Sequence, residues 1–434
     1  MVRINAFAVE QWMDLYETSA KHNLAETCCA SISLNDLLSL SPKKDLVDFT
    51  QKQVYGAIRG SETLRTNIAN LYSQSGSTEA SPVSADRVLV TNGAIQANFL
   101  ALYTHVGPGD HVICQYPTYQ QLYSVPESFG ADVSLWRSDE ANGWGMDLEK
   151  LKSLIRPNTK MIILNNPQNP TGAILRREEL QGIVDIAREH DILIHSDEVY
   201  RPLFHSLDSD EEIPPSILEF GYENVIATGS MSKAFSLAGI RLGWIASPNS
   251  EIIEACASAR DYTLISVGQI DDSVAAHALS NPCVEILLQR NLRLSRQNLG
   301  VLETFIEEYN WAMKWTKPKA GTTAFIKFVD RKGRAIDDVV FCQRLQEKTG
   351  VMLVPGSQCF GGGVDFHGYV RLGYVQDSHV IVDGLDTLRQ FMRDEYEKLP
   401  LALVHSRDHR VWRIGLPVRS VLMQYPVQPL LESQ

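Results

Sequence analysis

The strongest constraint on the fold is an alternation that begins at Asp86. "RVLVTNG", "HVICQYP", "ADVSLWR", "KMIILNNP" and "ILIHSDEVY" are apolar runs of strand length, and between some of them stand the amphipathic stretches "AIQANFLALYTHV" and "EELQGIVDIAREH". Continuous apolar runs mark strands buried on both faces, and helical crossovers between them imply an α/β chain with a mostly parallel sheet. Polar turns follow the carboxyl ends of the runs, where such sheets hold their ligands. After about Asp271 the pattern changes to long helical segments (Ala275 to Glu307), then "TAFIKFVD", a helix near Asp337 to Thr349, and "YVRLGYV". This reads as a second, smaller α+β unit. The expected division is residues 1–49 joining that smaller unit, 50–285 as the large domain, 286–399 as the small domain, and 400–434 as a tail with prolines, no period and no assigned function.

Composition narrows the function classes. A chain of 434 residues, 44% hydrophobic and 21% charged, can bury a large core. Its net charge of −12 argues against nucleic-acid and anionic-membrane partners, which need clustered Lys and Arg. Met1 to Met13 lacks a basic start followed by an apolar run, and no stretch approaches the roughly 18 apolar residues of a membrane span. A soluble, cytoplasmic protein is expected. Its seven cysteines show no metal-like spacing, and no Asn-x-Ser/Thr acceptor with a permitted middle residue occurs, so free thiols in a reducing compartment are expected.

The chemistry centres on "NVIATGSMSKAFSLAGIRLGWIAS" (Asn224 to Ser247), which places Lys233 in the turn between two short buried strands. Desolvating an ammonium pushes its pKa down, which is how a lysine becomes a nucleophile. A single loop lysine is ordinarily a surface residue, so the rest of the chain decides. "TNGAIQAN" (Thr91 to Asn98) is a strand, a glycine turn and a helix start; "YPTYQQLY" (Tyr116 to Tyr123) and "NNPQNPTG" (Asn165 to Gly172) each follow a strand; "HSDEVY" (His195 to Tyr200) ends another; "YVRLGY" (Tyr369 to Tyr374) sits in the second unit. With S-x-x-K and the later arginine, these motifs resemble the class I/II aminotransferases, fold type I transferases dependent on pyridoxal 5′-phosphate (PLP). The resemblance covers about residues 50–395.

The resemblance implies a role for each matched residue. Lys233 would be the Schiff-base lysine and the base that moves the Cα proton. Asp197 would keep the pyridine nitrogen protonated, Tyr200 and Asn169 would hydrogen-bond the phenolic oxygen, and Tyr119 would stack on the ring. Ser230, Ser232, Arg241 and the backbone N–H groups of Ala94 and Ile95, after Gly93, would hold the phosphate. Arg371, with Asn169, would bind the substrate α-carboxylate. Tyr55, in "VYGAIRGSETLR", matches a tyrosine that reaches the neighbouring subunit's phosphate, which implies a homodimer. Amino acids and 2-oxo acids are the implied substrates, with no nucleic acid, membrane or metal partner.

Each residue also has a plainer reading. Asp197 and Glu198 could cap helices, Tyr119 and Tyr123 could be core aromatics, and Arg371 could form a surface ion pair. His190, Asp191, His195 and Asp197 are not read as metal ligands. "FGGGVDFHG" lacks the context of a dinucleotide loop.

The sequence departs from the family at "LAETCCASISL" (Leu24 to Leu34), where relatives often carry a "G-x-P-D" type segment. Ala94 and Ile95 also replace hydroxyl residues that many relatives place on the phosphate. The first departure is similar to natural-product enzymes such as the capreomycidine synthase group, which eliminate and cyclise on an arginine derivative. A PLP-dependent lyase or cyclase therefore stands beside the aminotransferase reading, and a regulatory or degenerate protein on the same fold is a third. Glu26, in the rebuilt segment, would line the substrate side. It would then favour a cationic side chain, unless it pairs with a protein arginine or caps a helix.

Overall fold

The computed structural model describes residues 4–41, 46–72 and 83–403, so the tail from residue 404 lies outside the described residues. Its strands are β1 (His22–Asn23), β2 (Val88–Thr91), β3 (His111–Tyr116), β4 (Asp132–Arg137), β5 (Thr159–Asn165), β6 (Leu193–Asp197), β7 (Val225–Ser230), β8 (Gly243–Ala246), β9 (Met313–Trp315), β10 (Thr323–Phe328), β11 (Val351–Met352), β12 (Val354–Pro355) and β13 (Tyr369–Gly373). A seven-stranded sheet has the order β2-β8-β7-β6-β5-β3-β4, in which β8 alone runs antiparallel to its neighbours. This is the mostly parallel α/β sheet that the alternation implies.

Both faces of the sheet are dry. Ile162, Leu164, Ile194 and Val225 face one core, whereas Met161, Ile163, Leu193 and Ile226 face the other. Successive side chains of a strand point to opposite faces, so a strand covered on both sides must be apolar throughout. The helix Arg177–Glu189 shows the complementary pattern: Leu180, Ile183, Val184 and Ala187 are buried at helical spacing.

The smaller α+β part is built on an antiparallel sheet in the order β12-β13-β10-β9, and β13 carries "YVRLG". The helical region read across Ala275 to Glu307 is divided into Gln269–Ala278 and Cys283–Glu308. Pro282 lies at the break, where its missing N–H and its ring stop a helix from continuing.

Before the large sheet come α1 (Ala8–Tyr16), α2 (Leu34–Ser39) and α3 (Glu62–Tyr72), and α4 (Gly93–His105) opens directly after β2. The N-terminal segment is held at both ends of its course. β1 pairs in parallel with β11, and Trp12 Nε1 donates to Leu353 O at 2.8 Å. Farther on, Cys29 N donates to Lys233 O at 3.1 Å and Ile32 N to Ser236 O at 3.2 Å. All seven cysteines are free and buried. No helix among the described residues is long and apolar enough to cross a membrane.

Candidate active site

The carboxyl ends of β5, β6 and β7 open onto a cavity of about 310 Å³. Lys233, three residues beyond β7, lines it. Its Nζ donates to Thr27 Oγ1 at 2.5 Å and lies 3.6 Å from Cys28 Sγ. Desolvation lowers the Lys233 pKa, as the sequence implies, but Cys28, Tyr200 and Glu26 outweigh it and leave the ammonium above its ordinary value. Burial pushes the Cys28 thiol up to about 11 and raises the Tyr200 phenol, so both are neutral near pH 7. Glu26 is the anion among them: burial raises its pKa, but Lys233 and the Cys28 and Thr27 N–H groups bring it below the usual value. The lowered lysine pKa expected from desolvation is therefore not what the cofactor-free chain has, because Cys28, Tyr200 and Glu26 together favour the cation.

Asp197 ends β6 and is 3% exposed. Burial pushes its carboxyl up to about 6, against hydrogen bonds from Asn98 and the Val199 N–H and the charge of Lys233. Asn98 Nδ2 donates to Asp197 Oδ2 at 2.9 Å, and Thr228 Oγ1 fixes Asn98 by donating to its Oδ1 at 2.6 Å. Asp197 forms no direct ion pair with a described residue, and Lys233 acts on it only through its charge. Glu198 next to it is structural: it pairs with Arg201 and accepts from Ser216 Oγ and Ile217 N. Tyr200 and Asn169 line the same cavity, and Asn169 N donates to Asn165 Oδ1 at 2.7 Å. Tyr119 lines it as well, with its hydroxyl donating to Glu10 Oε1 at 2.7 Å.

A cradle for an anion lies beside these groups. The first N–H groups of α4, at Gly93, Ala94 and Ile95, have no acceptor within the helix. Ser230, Ser232 and Arg241 line the cavity with Ala94 and Ile95, and Ser230 Oγ donates to Ser232 Oγ at 2.9 Å. Two glycines allow the close approach. Gly93 has φ +74°, and a Cβ there would lie 2.8 Å from Arg241 Nη2; one on Gly243 would lie 2.5 Å from Ala94 N. The site therefore needs bare backbone where β8 passes the start of α4.

Arg371 on β13 is 4% exposed. Its Nη2 donates to Ala25 O at 3.0 Å and its Nη1 to Asn169 Oδ1 at 3.4 Å, while Nε has no acceptor. A buried guanidinium with no carboxylate partner among the described residues is poised to bind one from outside. Glu26 lines the same cavity, and its Oε1 accepts from Thr27 N at 2.6 Å and Cys28 N at 2.8 Å. Tyr55 does not join this group: it is 73% exposed and lies against a separate surface depression with Gln51 and Gln269.

The sequence profile of the family described as "Aminotransferase class I and II" matches residues 34–379. The chain belongs to the class I and II aminotransferases. It is 30% identical over 358 residues to an aspartate aminotransferase of Thermotoga maritima, covering 80% of this chain and 86% of that one. It is 26% identical over 356 residues to a capreomycidine synthase of Streptomyces vinaceus, covering 81% and 86%. A solved structure of a PLP-dependent aminotransferase from Streptococcus suis superposes with a TM-score of 0.80 at 40% identity, covering 90% of this chain and 98% of that one.

The donors present in this aminotransferase fit PLP. A dianion suits the α4 cradle, and a protonated ring nitrogen suits Asp197, a buried carboxylate with no direct ion pair among the described residues. No group of three or more His, Cys, Asp or Glu among the described residues is arranged to hold a metal ion. Sequence reasoning missed the contributions of Asn98, Asn165 and Thr27. Asn98 stands four residues after Ala94, and that spacing puts both on one face of α4. Thr27 carries no such signal, since it meets Lys233 across 206 residues of chain.

Proposed function

We propose that this chain is a PLP-dependent aminotransferase that takes the amino group of an α-amino acid and passes it to a 2-oxo acid, with Lys233 as the amine that carries the cofactor. One observation supports this most: a single cavity presents the Lys233 amine, the buried Asp197 carboxylate without an ion pair, and the buried Arg371 guanidinium with an unpartnered N–H. The cofactor, when bound, supplies an electron sink for the charge left when the Cα proton departs. Lys233 Nζ takes that proton and returns it to a different atom. With the cofactor bound, Asp197 would hold a proton on the ring nitrogen, Tyr200 and Asn169 would hold the phenolic oxygen, and Tyr119 would cover one ring face. Ser230, Ser232, Arg241 and the start of α4 would grip the phosphate. Arg371 takes the substrate α-carboxylate and so orients the Cα–H bond.

The protein acts as a homodimer in this reading. Tyr55, exposed and away from its own cavity, reaches the phosphate site of a second copy.

A second reading is supported by the likeness to a capreomycidine synthase and by the altered segment 24–34. It is a lyase or cyclase acting on an arginine-like amino acid, which shares the Cα deprotonation and differs in what leaves afterwards. Incubating the purified holoenzyme with a panel of amino acids and 2-oxo acids, followed by mass identification of products, separates the two. Amino transfer is expected, appearing as a new amino acid made from the 2-oxo acid. A cyclised or eliminated product with no transfer would contradict the first reading and favour the second.

A further inference from the structure

The mouth of the cavity has an acidic wall that no motif announces. Glu10, Met13 and Glu17 line it from α1 and the single turn that follows, and Glu26 lines it from the segment beyond β1. Spacings of three and four residues place Glu10, Met13 and Glu17 on one helical face. α1 is anchored by Val9, which also borders the cavity, and by Trp12; they are 3% and 2% exposed. Glu10 Oε1 accepts from the Tyr119 hydroxyl at 2.7 Å, Glu17 Oε1 from Asn23 Nδ2 at 3.5 Å, and Glu26 from the backbone at Thr27 and Cys28. None of the three forms an ion pair with a described residue, but the charge of Lys233 acts on Glu26, so Glu10 and Glu17 are the two left without a cation. Burial raises the Glu17 pKa, and the charges of Glu26, Glu10 and Asp14 raise it further, as expected where carboxylates crowd without a cation.

The same cavity holds Arg371, nine-tenths buried and with an unpartnered Nε–H. Its two electrostatic poles thus have opposite sign. A ligand carboxylate satisfies Arg371, but a second carboxylate would meet three like charges, and an apolar side chain would leave the wall uncompensated. An aliphatic stem ending in a cation matches both ends, because Val9 and Met13 give the stem apolar contact while the carboxylates face its tip.

We propose that Glu10 and Glu17 select amino-acid substrates whose side chain ends in a guanidinium or ammonium, while Arg371 takes the α-carboxylate. This rests on the reading of the cavity as an aminotransferase site. The charges of Glu26 and Lys233 act on each other, so Glu10 and Glu17 are the cleaner probes.

The test compares L-arginine with L-citrulline, a near-isostere without the charge, and L-lysine with L-norleucine, following amino-acid consumption by the holoenzyme. Wild type is expected to favour each cationic member by about 10- to 100-fold in kcat/KM, carried mainly by KM, as loss of a charge-assisted contact would give. In Glu17→Gln the ratio is expected to fall, and in the Glu10→Gln/Glu17→Gln double variant to come within about 3-fold of unity. Glu17 is solvent-exposed, so its single substitution does not threaten folding. Equal use of arginine and citrulline by wild type, or a preference that survives in the double variant, would overturn the proposal while leaving the site reading intact. If no amino acid in a broad panel reacts, the site reading itself fails and the proposal falls with it.

Discussion

Asp197 and Lys233 line one cavity and are shifted in pKa for different reasons, which makes each separately testable. Burial raises the Asp197 carboxyl to about 6, above its value in an unfolded chain, so the folded protein binds that proton more tightly between about pH 4 and pH 6. Stability therefore falls as pH rises through that window. In the cofactor-free protein, wild type should lose up to about 3 kcal/mol relative to Asp197→Asn between pH 4 and pH 7, read from urea unfolding midpoints. Parallel profiles would contradict the assigned burial. In the holoenzyme, Asp197→Ala should cost roughly 10³-fold or more in turnover, because an unprotonated ring withdraws electrons poorly. Near-normal activity in that variant would contradict the role of Asp197.

At the scale of elements, the junction of β8 with the start of α4 is the tightest part of the site. A Cβ on Gly243 would lie 2.4 Å from Gly93 C and 2.5 Å from Ala94 N, both backbone atoms that cannot swing aside. Gly243→Ala should therefore push α4 from the sheet, lower stability by about 1–3 kcal/mol and weaken PLP binding by about 10-fold or more. Thermal unfolding and equilibrium dialysis of the cofactor check the two parts. A variant that binds PLP as wild type does would contradict the α4 cradle. The α4 side of this junction was legible in the sequence because "TNGAIQAN" keeps strand, glycine and helix start within a few residues, whereas the approach of Gly243 to it was not, since about 150 residues separate the two. The position of α1 was not legible. Its acids reach the cavity through contacts such as Tyr119 with Glu10, 109 residues apart, and nothing local in "AVEQWMDLY" records which face meets the site. The pairing of β1 with β11 was hidden for the same reason, since a two-residue strand has no period of its own.

Across the whole molecule, strand ends of the large sheet, β13 of the smaller sheet and the N-terminal segment meet around one amine. Lys233 touches Thr27 from that segment, and its backbone carbonyl accepts from Cys29. If the assembly also shares sites between two copies, mixing Lys233→Ala protein with Tyr55→Phe protein should restore activity. Each hybrid dimer would then contain one site with both native residues. No gain of activity with heterodimers shown to form would contradict the shared site. The claim on which everything else depends is that Lys233 carries the cofactor, and borohydride reduction of the PLP-loaded protein tests it most directly. Peptide mapping is expected to find the reduced pyridoxyl label on Lys233 in wild type, with no stable label in Lys233→Ala, whereas a label on any other lysine would contradict the account.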